Sequence, residues 1–244
     1  MSMDFFSIYD TLIDGIDSDA RVDSAVVGTR WTAVTAGGHT GIAMTVSVES
    51  CPRTFPKGIV GLPLREAAGA VKSWNFAEAS LGMAAINAFY NTPERVKSLR
   101  AAEPYENYCT RGLELRGKRV AMIGHMGYPE SALSGIEKLY VLERAPQKGD
   151  YPDSACEYVL PQCDLVLITG SALVNKTMPR LLELSKNALT VLTGPTVPMC
   201  PALLGQSVRR LAGMIVTDAS IVPAIGSSLV GSPYPYGESF LLGE

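Results

Sequence analysis

The chain has only two histidines, His39 and His125, and its five cysteines are odd in number, widely spaced and never arranged as C-x-x-C. Such a set supports no disulfide framework and offers no local spacing for a zinc or iron–sulfur site. A metal held by the protein itself would have to be gathered from distant segments. Basic clusters are missing too. Formal net charge is -3 and the Lys and Arg residues are scattered, so there is no electrostatic footprint for nucleic acid or an anionic membrane. No apolar run approaches the roughly 20 residues of a membrane span. The opening "MSMDFFSIYDTLIDGIDSD" has no basic stretch before an apolar core and carries Asp4, Asp10, Asp14, Asp17 and Asp19, which argues against a secretory signal. These absences predict a cytoplasmic protein with a small-molecule partner, and a homodimer as the commonest oligomer.

What is present is core-forming material: 47% hydrophobic residues in 244, with 18% charged, enough for two compact domains. Phe5, Phe6, Ile8, Tyr9, Leu12, Ile13 and Ile16 recur at mostly helical intervals, predicting an amphipathic helix over residues 3–16. "DSAVVGTR", "WTAVTAGG" and "GIAMTVSV" read as an antiparallel meander with Gly-containing turns. "PLREAAGAVKSW" and "NFAEASLGMAAINAFY" read as helices, the second capped by Asn75. This order predicts an α+β domain over residues 1–105, with the polar stretch 100–118 as connection.

From Gly117 the rhythm changes. "KRVAMIG", "KLYVLER", "DLVLITG", "LTVLTG" and "GMIVTD" are short apolar runs separated by crossover-length segments, predicting an α/β, doubly wound parallel sheet over residues 106–244. Ligands of such sheets bind beyond the carboxyl ends of the strands. Five loci fall there: Gly124 with His125, Glu143 with Arg144, Thr169 with Gly170, Gly194 with Pro195 and Thr196, and Asp218.

Glu143 follows Gly124 by 19 residues, the spacing at which dinucleotide and S-adenosylmethionine folds place the acid that binds a ribose diol. The turn Gly124-His125-Met126-Gly127 nevertheless lacks the G-x-G-x-x-G glycines, which argues against a nicotinamide cofactor. No cofactor is specified. An imidazole at a strand end suits proton transfer, so His125 is either the general acid or base or a residue that shapes its turn. Asn175 offers a paired donor and acceptor and Thr177 a hydroxyl, or either caps the helix "MPRLLELSKN". The proline-stiffened loop "TGPTVPMCP" presents backbone groups at Gly194 and Thr196. Asp218 reads first as a helix N-cap and second as a carboxylate directed into the same pocket. Cys200 has no adjacent base and reads as structural. In the first domain His39 sits at a hairpin tip. Trp74 either stacks on a planar ligand or packs in the core, and Asn87 lies within an apolar helix where its amide needs partners.

Taken in order, "GLPLREAAGAVKSWNFAEASLGMAAINAFYN", "IGHM", "VLER", "LITGSALVNKT", "LTGPTVPMCP" and "AGMIVTD" resemble the heavy-metal-chelation domain family joined to its usual N-terminal partner domain. The resemblance spans most of the chain. It implies a first domain similar to the enolase N-terminal fold, then a Rossmann-like domain with some likeness to methyltransferases, and a pocket between them. Carried across, His125, Glu143, Thr169, Gly170, Asn175, Thr177, Gly194, Pro195 and Asp218 are the matching site positions of the second domain, with Arg65, Ser73, Asn75 and Asn87 from the first. The resemblance implies condensation or hydrolysis of pterin-, flavin- or siderophore-like compounds, or a role in heavy-metal handling. Met126 stands where that family's Gly-His motif would carry an aromatic. With so few soft ligands in the chain, a metal is expected to arrive on a chelating small molecule. The sequence thus sets three readings side by side: an enzyme on a planar heterocycle or nucleoside-like compound, a carrier of a metallophore or metal complex, and a methyltransferase-like protein.

Overall fold

The computed structural model describes residues 6–46, 51–100, 102–105, 109–128, 130–205 and 207–243. Helix α1 (Ser7–Asp14) opens the described chain, so residues 3–5 of the expected helix lie outside the described residues. Strands β1 (Val22–Val27), β2 (Trp31–Ala36) and β3 (His39–Met44) form an antiparallel sheet in that order. The β2–β3 turn has two residues, Gly37 at φ 56° and Gly38 at φ 81°. Both central positions of such a turn need positive φ to match the strand twist, which only Gly-Gly, Asn-Gly and their kin supply readily.

After α2 (Leu64–Ala68) and a 3-10 turn to Lys72 comes the long α3 (Phe76–Tyr90). Its cap is the expected one, Asn75 Oδ1 accepting from the Glu78 amide at 3.2 Å. A Cβ on Gly41 of β3 would stand 2.0 Å from the Ala88 amide nitrogen and 2.2 Å from the Ala84 carbonyl oxygen. The bare glycine is therefore what lets helix and sheet touch backbone to backbone. Nearly all of α3 from Glu78 to Tyr90 is buried, because its other side meets the second lobe.

The second lobe follows the short α4 (Pro93–Ser98). Its eight-stranded sheet contains β4 (Ala102–Pro104), β5 (Arg119–Ile123), β6 (Lys138–Glu143), β7 (Tyr151–Pro152), β8 (Leu165–Thr169), β9 (Leu189–Thr193), β10 (Val208–Val216) and β11 (Gly237–Gly243). The spatial order is β4-β11-β10-β9-β8-β5-β6-β7. Neighbours from β7 to β10 run parallel, and β11 is antiparallel to both β10 and β4. Helices α5 (Cys156–Val159), α6 (Ser171–Val174), α7 (Met178–Leu184) and α8 (Ile221–Gly226) lie in the connections. The chain is thus α/β, an α+β lobe followed by a Rossmann-like one. The five expected parallel strands are all present. β4, β7 and β11 are additions, and β4, on the first-domain side of the expected boundary at residue 105, pairs into the second lobe's sheet. Among the described residues no helix is long and apolar enough to cross a membrane.

Two asparagines of the α3 end tie the lobes together. Asn87 Nδ2 donates to Ile42 O and Thr196 O, and Asn91 Nδ2 donates to Val197 O and Met214 O while its Oδ1 accepts from the Met199 amide at 2.8 Å. The Met44 amide donates to Thr196 Oγ1, and Tyr9 Oη donates to Leu173 O. Apolar packing is continuous across the junction, with Trp31 and Ile42 of the first lobe in one cluster with Met214, Ile221 and Ile225 of the second. Replacing Asn91, which is 4% exposed, by Ala leaves three backbone groups without partners. At 1–3 kcal/mol per buried unsatisfied group, Asn91→Ala is expected to cost about 3 kcal/mol or more in urea unfolding, against about 1 kcal/mol or less for the exposed turn residue Asp218→Ala. Equal losses would show that the asparagine does not hold the lobes.

Candidate functional site

The order of the large sheet reverses at β5: the chain runs from β5 outward to β6, then crosses back to β8 on the other side. Gly124-His125 after β5 and Thr169 after β8 therefore flank the switch point, where an open parallel sheet leaves a crevice. Two chambers open there. One, of about 340 Å³, is walled by Ile123, Leu142, Ala172, Leu181 and Leu184, with Glu143, Ser171, Asn175 and Thr177 as polar groups. The other, of about 470 Å³, is walled by Tyr105, Tyr128, Tyr234, Met126, Gly194 and Pro195. Met44, His125 and Thr169 line both, so the histidine stands at the partition.

The turn that presents His125 is built by Gly124 and Glu143. Gly124 has φ 93°, left-handed backbone that favours glycine, and its amide donates to Leu142 O. Glu143 Oε1 accepts from the His125 amide at 2.7 Å, and Oε2 accepts from the Arg144 amide at 3.1 Å. The acid at the end of β6 thus holds the histidine's backbone, a role its spacing from Gly124 did not disclose, and still has lone pairs facing the chamber.

His125 has a second partner that sequence reasoning missed. Its Nε2 lies 2.6 Å from Asp150 Oδ2, which also accepts from the Gln147 amide at 2.8 Å. The His125 side chain is 42% exposed and that of Asp150 only 7%. The Gln147 amide, then the imidazole, hold the Asp150 carboxyl below the usual carboxylate range. An ionised carboxylate only accepts, so Nε2 carries the proton and Nδ1 of the neutral ring keeps the lone pair. No described residue partners Nδ1. The only cue in the sequence was Gly149-Asp150 after a turn-forming stretch, 25 residues away.

Asn175 is oriented as firmly. Its Oδ1 accepts from Thr177 N at 3.1 Å and from Thr177 Oγ1 at 2.7 Å, and because a backbone N–H can only donate, the end facing Thr177 is the oxygen. The amide NH₂ is what remains for a ligand. Thr177 stands at the N-cap of α7 without a side-chain cap bond, so neither Asn175 nor Thr177 caps that helix through its side chain, and Asn175 instead fixes the turn that leads into it. At the mouth, Arg144 pairs with Asp153 at 3.6 Å and Arg180 with Glu157 and Glu183.

The remaining candidates fall outside the chambers. Gly170 is buried against the post-β9 loop, where a Cβ would meet Val197 N at 2.7 Å. Thr196 is spent on Met44 and Asn87. Asn87 leaves only Oδ1, the one buried side-chain N/O atom without a partner among the described residues. Asp218 is exposed and accepts from the Ser220 amide, so the carboxylate directed into the pocket is not observed. Arg65 is exposed and pairs with Asp14. Ser73 donates to the buried Glu78, and Asn75 caps α3 and donates to Cys51 O. These three shape the first lobe, and its contribution to the chamber walls is Met44, which sequence reasoning had not singled out.

A soft metal does not fit these residues. Among the described residues no three His, Cys, Asp or Glu side chains lie together as a metal-binding group. Cys156, the cysteine beside the first chamber, is buried and its thiol is pushed up to about 11 by desolvation, away from the thiolate a metal requires.

Because the Asp150 carboxyl is depressed in the folded state, the stability it contributes is full above its unfolded value and is lost as pH falls through the folded one. Protection of the Gln147 amide from exchange should therefore persist through neutral pH and disappear only in acid, below the ordinary Asp range near about 4. Loss between about pH 7 and 5 would contradict the pairing. Proton NMR should also find the His125 Nε2–H shifted downfield and slowed in exchange by its bond to the carboxylate, and Asp150→Ala should remove both.

Three comparisons bear on this geometry. Residues 112–227 match the DUF364 family and residues 9–90 the DUF4213 family, both described as "putative heavy-metal chelation". A crystal structure of a DUF364-family protein of unknown function from Desulfitobacterium hafniense is 37% identical, with 98% of each chain covered and a TM-score of 0.87. One from Pyrococcus horikoshii, also of unknown function, is 26% identical at a TM-score of 0.83, with 98% of this chain and 99% of that one covered. An uncharacterized protein of Methanocaldococcus jannaschii is 29% identical over 194 residues, 73% of this chain and 70% of its own. Matched over both lobes and by a full-length structural relative, the chain belongs to the DUF364 family, with a DUF4213 domain before it.

Proposed function

We propose that the protein is an enzyme acting on a small, planar, polar heterocyclic or nucleoside-like compound in this cleft, by a hydrolytic or condensing reaction linked to heavy-metal handling. The observation that carries the reading is the His125–Asp150 pair. A nearly buried carboxylate fixes one ring nitrogen and leaves Nδ1 as a base at the wall shared by both chambers, the arrangement that general acid–base catalysis uses. Asn175 Nδ2 supplies a donor and Glu143 an acceptor for a ring edge, and the apolar walls suit a flat ring face. Glu143 and Asp150 act as positioning residues through His125.

A second reading, a carrier for a metallophore or metal complex without turnover, is favoured by the lack of a protein-borne donor cluster among the described residues. In that case the metal enters with its ligand. Metal that stays stoichiometric after thiol blocking and elutes with a small organic molecule supports this carrier, and metal lost on thiol blocking counts against both readings.

The test of the enzyme begins with mass spectrometry of small molecules that co-purify with the protein. On the substrate so found, His125→Ala should lower kcat by about 10²- to 10⁴-fold, the usual range for a general acid or base. Turnover at the wild-type rate would end the assignment.

A further inference from the structure

The tyrosine-walled chamber is the larger of the two, and the chemistry of the first does not use it. Three phenols surround it. Tyr128 Oη lies 2.7 Å from Cys109 Sγ and 3.5 Å from Thr193 Oγ1, and all three phenols are neutral donors and acceptors at ordinary pH, with burial pushing those of Tyr105 and Tyr128 higher still. Gly127 and Gly194 also line it, at φ 62° and 108°, and a Cβ built on either meets nothing within 4 Å. Bare backbone beside phenol rings makes a slot in which a second flat ring can lie, stacked or edge-on. The first chamber differs in kind, with aliphatic walls and a fixed donor and acceptor on Asn175 and Glu143. His125 stands between them, its Nδ1 without a described partner.

We propose that the second chamber is a separate subsite for an aromatic, hydroxyl-bearing group, so that the substrate is a two-part molecule: a lactam-like heterocycle in the first chamber, joined beside His125 to a phenol-like ring in the second. This deepens the proposed function and rests on its placement of a heterocycle in the first chamber. Neither chamber alone explains why the proton-transfer group lies on the wall they share. A molecule that fills both places its connecting bond at that wall.

The test uses two uncharged probes, 2-aminopyrimidin-4-one for the first chamber and phenol for the second, titrated by calorimetry. Saturation with either should change the other's Kd by less than about 2-fold. Tyr234→Ala should weaken phenol by about 5-fold or more and leave the pyrimidinone unchanged, and Leu184→Trp, which fills the first chamber, should do the reverse. Tyr234 is 47% exposed, so its truncation should leave the fold intact. A compound joining the two rings by a two-carbon link should bind about 100-fold more tightly than either half, as expected when the second contact becomes intramolecular. Displacement of one probe by the other, phenol binding unchanged by Tyr234→Ala, or a linked compound no tighter than its halves would overturn the two-part substrate. The proton-transfer assignment fails separately, if His125→Gln turns over the natural substrate at the wild-type rate while both probes keep their chambers.

Discussion

The rest of this structure depends on how the end of α3 grips the loop after β9. That loop, Gly194 to Cys200, is rich in proline and has few internal hydrogen bonds, so by itself it would not hold one shape. Asn87 and Asn91 stand one helical turn apart on the same face of α3, and their amides take up backbone groups of Thr196, Val197 and Met199. Buried amides bonded to buried backbone are high-stakes contacts, strong when satisfied and costly when broken. Through them the first lobe supports one wall of a cleft whose polar side chains come from the second lobe.

The cleft repeats that logic on a smaller scale. The His125 backbone is held by Glu143 at the end of β6 and its ring by Asp150 just before β7. Each also accepts from main-chain amides, of His125 and Arg144 in one case and of Gln147 in the other. Fixed donors and acceptors of this sort cost no reorganisation when a ligand arrives.

Much of the fold was legible because periodicity and turn chemistry agreed. The five strands from "KRVAMIG" to "GMIVTD" are short apolar runs with punctuation at both ends, and Gly37-Gly38 and the Asn75 cap are local signals with local causes. β4 was not legible, since edge pairing of three residues with a segment more than a hundred residues away leaves no periodic trace, and β11 was not expected, although it pairs with the nearby β10. The candidate site was half legible. Strand-end position identified His125, Glu143, Thr169, Asn175 and Gly194. It did not reveal Asp150, Met44, Tyr105 or Tyr234, which reach the chambers only after the chain has folded back. Arg65, Ser73 and Asn75 were carried over from a resemblance, and a motif transmits positions without saying whether they serve a pocket or a helix cap.

β4 has one strand neighbour among the described residues, and that neighbour is β11. On the ribosome β4 emerges well before its partner, separated by roughly 130 residues, or on the order of 10 s at typical elongation rates. Once β10 has emerged, its edge too stays open until β11 follows, since β11 lies between β10 and β4. The first lobe and the parallel core can assemble early, but sealing this flank waits for the last described strand, and until then the nascent chain exposes the kind of unpaired edge that chaperones cover and aggregates recruit.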